Sequence, residues 1–118
     1  MRMKKYFYVL ALFSMVLLVV PVYANTECSG TVTYLGQDGG GTLTVAGPGG
    51  LPAVYVCSMT TDGNGWTAST CKVAYATLLA AKLSGQTADI FFNNNTACTS
   101  QPAWNTSTLG TVYHVATQ

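Results

Sequence analysis

Beyond residue 24 this 118-residue chain has no arginine, a single histidine (His114) and only two lysines, Lys72 and Lys82. The full chain carries Lys+Arg 5 against Asp+Glu 4. Arg2, Lys4 and Lys5 supply three of those five, which leaves two basic groups against Glu27, Asp38, Asp62 and Asp89, a net charge of −2. Each shortage removes a class of function. Nucleic-acid affinity is driven by counterion release onto a basic surface, and two lysines do not make one. One histidine and no CxxC pair leave no zinc site of ordinary spacing. The carboxylates are too scattered along the chain to suggest an acid/base dyad, and no GxSxG elbow frames a serine. His114, in "TVYHVAT", is read as a structural or surface histidine. "GQDGGGT" at 36–42 lacks the Lys-Ser/Thr of a phosphate-cradling loop and is read as a turn. The expectation is a protein that is not an enzyme, uses no cofactor or metal, and does not bind nucleic acid.

The N-terminus has its own composition. Arg2, Lys4 and Lys5 precede the apolar run "YFYVLALFSMVLLVVPV", and "VYA" ends at Ala24. That pattern is a secretory signal peptide over residues 1–24, with cleavage expected between Ala24 and Asn25. A bacterial Sec substrate is expected, secreted or periplasmic, with no stable membrane insertion after cleavage. Residues 25–118 then suit one domain with a small core that needs extra stabilisation.

Cysteine supplies it. Cys28, Cys57, Cys71 and Cys98 all follow the cleavage site, and an even count in an exported chain reads as two disulfides. Four cysteines allow three connectivities; the expected one is Cys57–Cys71 with Cys28–Cys98.

Strand signals fall at 30–36 ("GTVTYLG"), 42–47, 53–59 ("AVYVCSM"), 87–93 and 111–117, where β-branched and aromatic residues alternate with polar ones. Between the third and fourth lies one helix, "CKVAYATLLAAKLSG", capped by Ser69 or Thr70 and ended by Gly85. On a helical wheel Tyr75, Leu78, Leu79 and Leu83 gather beside Cys71, the side expected to face the sheet. Val73, Ala74, Ala76, Thr77, Ala80, Ala81 and Ser84 form a smooth, uncharged opposite side. Val73, Ala76, Thr77 and Ala80 are therefore candidates for a homo-oligomer contact. The fold class expected is mostly β with one helix: a small five-stranded barrel of order β-β-β-α-β-β, held by disulfides.

That order is the one found in oligonucleotide/oligosaccharide-binding (OB) barrels. The stretch "KVAYATLLAAKLSGQTADIFF", with the cysteines before it, resembles the B subunits of secreted bacterial toxins of the subtilase-cytotoxin and pertussis-like group. The resemblance implies secretion, disulfides, assembly through the helix, and glycan recognition. No binding residue is carried over from it.

For a neutral polyhydroxylated ligand the useful groups are hydroxyls, amides and carboxylates around an exposed aromatic ring. "DGNGWT" makes Trp66, with Asp62 and Asn64, the candidate binding site. Trp104, in the long irregular segment 94–110, is read instead as a plug beneath its own loop. The expected function is a secreted, non-catalytic binding module for a glycan or protein receptor. The alternative is a structural or protein-interaction protein of the periplasm or cell surface.

Overall fold

Residues 25–118 are described by the computed structural model; the signal-peptide reading of residues 1–24 falls outside them. The described chain forms β1 (Thr26–Thr31), β2 (Tyr34–Gln37), β3 (Thr42–Ala46), β4 (Val54–Ser58), α1 (Ala68–Ser84), β5 (Thr87–Phe92) and β6 (Val112–Thr117). These strands make two antiparallel sheets, ordered β1-β5-β6 and β2-β3-β4. Leu43, Val45, Val54 and Val56 from one sheet, Ile90 and Phe92 from the other, and Leu78 from α1 are fully buried between them. Each such side chain contributes about 1.5–3 kcal/mol by leaving water.

Two expectations about the strands are corrected. The single strand read over 30–36 is a corner joining β1 to β2, so the described residues form six strands where five were expected. Val32 at the corner is drawn into the core, while the Thr33 N–H already bonds the Ala46 carbonyl in the second sheet (3.0 Å). Alternation shows that each half is extended, but it does not show that the halves pair with different neighbours. The Pro48–Gly50 turn, with Pro48 buried, packs against this corner. At Gly30 (φ 155°) an added Cβ would stand 3.1 Å from the Gly49 nitrogen, so Pro48–Gly50 packs where a side chain would project.

The closed five-stranded barrel is also not formed: the two sheets stay open, because β4 and β6 do not pair. Donors from loops occupy carbonyls beside the gap. The Trp66 indole N–H donates to the Val112 carbonyl at 2.8 Å, and the Thr108 hydroxyl donates to the Tyr55 carbonyl at 2.9 Å. A further bond runs from the Trp104 backbone N–H to the Ala53 carbonyl (2.8 Å). The helix spans the same gap, packing against both β4 and β6. Satisfied in this way, the strand edges have less to gain from each other.

Both disulfides have the expected connectivity, Cys28–Cys98 and Cys57–Cys71, with Cα separations of 5.7 and 5.9 Å. The second pins the first turn of α1 to β4. The helix starts earlier than the sequence reading placed it. Its cap is Thr67, in a reciprocal capping box with Thr70, and Gly85 ends it in the left-handed conformation (φ 72°). The buried face is also corrected. It consists of Cys71, Ala74, Leu78 and Ala81, whereas Leu83 is 78% exposed. Cys71 is on the buried side as expected, and the small side chains of Ala74 and Ala81 let the helix lie close to the strands. Lys82 donates to the Thr33 carbonyl at 3.3 Å, tying the end of α1 to the corner.

Asp38 organises the β2–β3 turn, accepting from the N–H groups of Gly40 and Thr42, each at 2.9 Å. The Thr42 backbone bond is the main cause that holds this carboxyl below its ordinary value, against a smaller opposing effect of desolvation. A depressed folded value means the stabilisation is present above the unfolded value and is lost as pH falls through the folded one. Asp38→Asn is therefore expected to flatten the acid limb of a stability-against-pH curve measured by thermal melts.

Candidate functional site

The β4–α1 loop, the site suggested by sequence, turns out to be built of structural parts. Gly63 to Trp66 closes a two-residue hairpin turn, with Gly63 N–H to Trp66 O at 2.9 Å and Trp66 N–H to Gly63 O at 3.0 Å. Asn64 (φ 55°) and Gly65 (φ 79°) take the paired positive angles such a turn requires. Asp62 accepts from the Ala68 N–H at 2.8 Å, completing the start of α1. Trp66 itself is half-buried, packs on the core and spends its side chain's only donor, the indole N–H, on the Val112 carbonyl.

Trp104 is the opposite case. The plug expected beneath its loop is not found: its ring is 58% exposed. It sits edge-on to Tyr34 (centroids 5.8 Å, planes at 71°) and to Tyr55 (6.3 Å, 79°). Tyr34 and Tyr55 reach the same side of the second sheet because their β3 partners, Ala46 and Thr44, are two residues apart. Beneath the rings Thr44 is covered to 2% exposure. Gly36 makes room for the Tyr34 ring, since a Cβ there would meet its hydroxyl at 2.8 Å.

The segment that carries Trp104 is long but held at several points. Cys98 is bonded to Cys28, and the buried Gln101 amide donates to Asn94 Oδ1 (3.0 Å) and the Thr96 carbonyl (3.1 Å). Asn105 caps the following 3-10 turn by accepting from the Ser107 N–H at 2.9 Å. Within this frame Trp104 has φ 51°, a left-handed conformation that costs a non-glycine residue about 1–2 kcal/mol. Its bond to Ala53 holds it there and keeps the indole outside. No sequence signal separated the two tryptophans. Glycines flank Trp66 and a disulfide neighbours Trp104, and the structure reversed what each context suggested.

The helix face named from sequence is only partly free. Val73 is 64% exposed, Ala76 and Ala80 are exposed, and Thr77 is half-buried. With Leu83 the exposed apolar residues fall at spacings of three, four and three, one seam along the helix.

The chain was compared with protein-family models, with curated proteins and with solved structures, and nothing matched in any of the three. Among the described residues no group of three or more His, Cys, Asp or Glu could hold a metal, and no helix is long and apolar enough to cross a membrane. Two disulfides are consistent with an extracytoplasmic location.

Proposed function

We propose that this protein is an exported, non-catalytic binding module that recognises a glycan on the Tyr34–Trp104–Tyr55 surface. The observation that carries the reading is the exposed Trp104 ring, held in a left-handed backbone conformation between two tyrosines. Backbone strain of this kind persists where the surrounding fold over-determines it, and it gathers at binding sites. A sugar ring presents C–H groups to the indole face, while the tyrosine hydroxyls supply hydrogen bonds. The net charge of −2 favours a neutral ligand over an anionic one.

The resemblance to toxin B subunits and to OB barrels belongs to the same proposal. What supports it is the strand order read through the corner: β4-β3-β2, then β1-β5-β6, with the helix between β4 and β5. Export rests on the sequence of residues 1–24 together with the two disulfides.

A glycan array probed with the chain beginning at Asn25 tests the reading. Binding to neutral glycans should disappear in Trp104→Ala with the melting curve retained. An empty array would sink it. Gly36→Val offers a milder check, since the new side chain pushes the Tyr34 ring off its seat. Affinity should fall while stability changes by about 0.5 kcal/mol or less.

Assembly through α1 is the second element, favoured by the exposure of Val73 and Leu83 on one helical seam. Light scattering should find a multimer that Ala76→Glu or Ala80→Glu dissociates. A monomer at high concentration removes this element and leaves a protein partner as the reading for that face.

A further inference from the structure

The outer face of the β1-β5-β6 sheet holds a second aromatic group that shares no residue with the Trp104 surface. Phe91 of β5 stands directly between Glu27 of β1 and His114 of β6. The β5–β6 register slips between Phe91 and Phe92, so Tyr113 is an extra, bulged residue. Bulges re-aim side chains, and here consecutive residues of β6 both reach Phe91: His114 at 5.2 Å and Tyr113 at 6.1 Å between centroids. Tyr113 is 49% exposed, and Asn25 donates to its hydroxyl at 3.3 Å.

Two residues before Phe91, and so on the same side of the strand, lies Asp89. It is only 3% exposed. Gln118 donates to its Oδ2 at 2.6 Å, while Oδ1 is buried with no hydrogen-bond partner. A buried carboxyl oxygen without a donor is costly, and it favours any positive group brought to this face. Both lysines of the described residues are on α1, so neither belongs to this face.

We propose that this face binds one small organic cation, an alkylammonium group seated on Phe91 and Tyr113, beside Glu27 and above the Asp89 carboxyl. Aromatic faces attract ammonium groups through the ring quadrupole, and carboxyl groups next to them add to that attraction. The exposed Gln118 amide is the side chain that moves if the ligand reaches Asp89.

Tetramethylammonium chloride is the probe, and neutral tert-butanol is the control of similar shape. The readout is the aromatic proton resonances of Phe91, Tyr113 and His114 in the chain beginning at Asn25. Saturable shifts are expected with the cation alone, weakening as sodium chloride is raised. Glu27→Gln, a surface change, should weaken binding about threefold or more. Phe91→Leu should remove the shifts while the amide resonances of β3 and β4 stay in place. An equal response to tert-butanol would overturn the proposal. So would shifts that never saturate, or an unchanged affinity in Glu27→Gln. The Trp104 surface is untouched by any of these results.

Discussion

Replacing Cys28 and Cys98 together by alanine is expected to lower the unfolding free energy of the chain beginning at Asn25 by about 4 kcal/mol on the chain-entropy model. The two cysteines are 70 residues apart, so their bond removes more freedom from the unfolded chain than Cys57–Cys71, with a separation of 14. For the shorter loop the same model gives about 3 kcal/mol. Small domains have about 5–15 kcal/mol in all, so loss of the longer bond takes a large share. Urea midpoints of the two paired variants measure the difference. The Cys28/Cys98 variant should also lose the position of Trp104, because Cys98 anchors the segment that carries it. If its midpoint fell no further than that of the Cys57/Cys71 variant, the bonds made by Gln101, Thr108 and the Trp104 backbone would be holding the segment instead.

The two tryptophans should give opposite results. Trp66→Ala removes a ring that packs on the core and leaves the Val112 carbonyl without its donor. A loss of about 3 kcal/mol is expected, close to the lower end for deleting an aromatic side chain because the ring is only half-buried. Trp66→Phe keeps most of the packing and drops the hydrogen bond, for a loss of about 1 kcal/mol. Trp104→Ala should barely move the melting curve and should abolish glycan binding. Comparison with Trp104→Gly isolates the backbone, since both variants lack the ring. Glycine adopts φ 51° freely, so the glycine variant should be the more stable by about 1 kcal/mol. If the alanine and glycine variants melt together, the positive φ stores no strain, and one support for Trp104 as a recognition residue is gone.

The difference between those tryptophans marks the limit of what local sequence says. Both lie in loops among Gly, Asn, Ser and Thr, and each was assigned by its immediate neighbours. Trp66 is drawn inward by a carbonyl on β6, 46 residues away, which needs a donor. Trp104 is held outward by a carbonyl just before β4, 51 residues earlier, and it meets Tyr34 and Tyr55 from two other strands. Neither partner is visible from the loop's own sequence. The helix repeats the point. Its existence and its Gly85 stop follow from local spacing, but the wheel placed Leu83 inside and Ala74 and Ala81 outside. Cys71 is on the buried side in both readings, and packing against β4 and β6 set the rotation about it.

The second aromatic group was harder still to read. Phe91, Tyr113 and His114 belong to strands that alternate normally in sequence. A bulge is a property of two strands in register and leaves no mark in either one alone. Asp89 gave no warning either, because a carboxylate within a strand is ordinarily solvent-facing. Only the pairing with β6 brings Gln118 over it.

By itself the sequence determined the class of the described domain: mostly β, one α-helix and two cross-links, with two lysines against four carboxylates. Those properties follow from composition and from spacings of two and three to four residues, which act over short distances. Tertiary structure alone decided that the sheets stay open, which face of the helix is buried, and which tryptophan meets solvent. Each of those outcomes depends on a donor, a disulfide or a packed side chain supplied by a distant part of the chain.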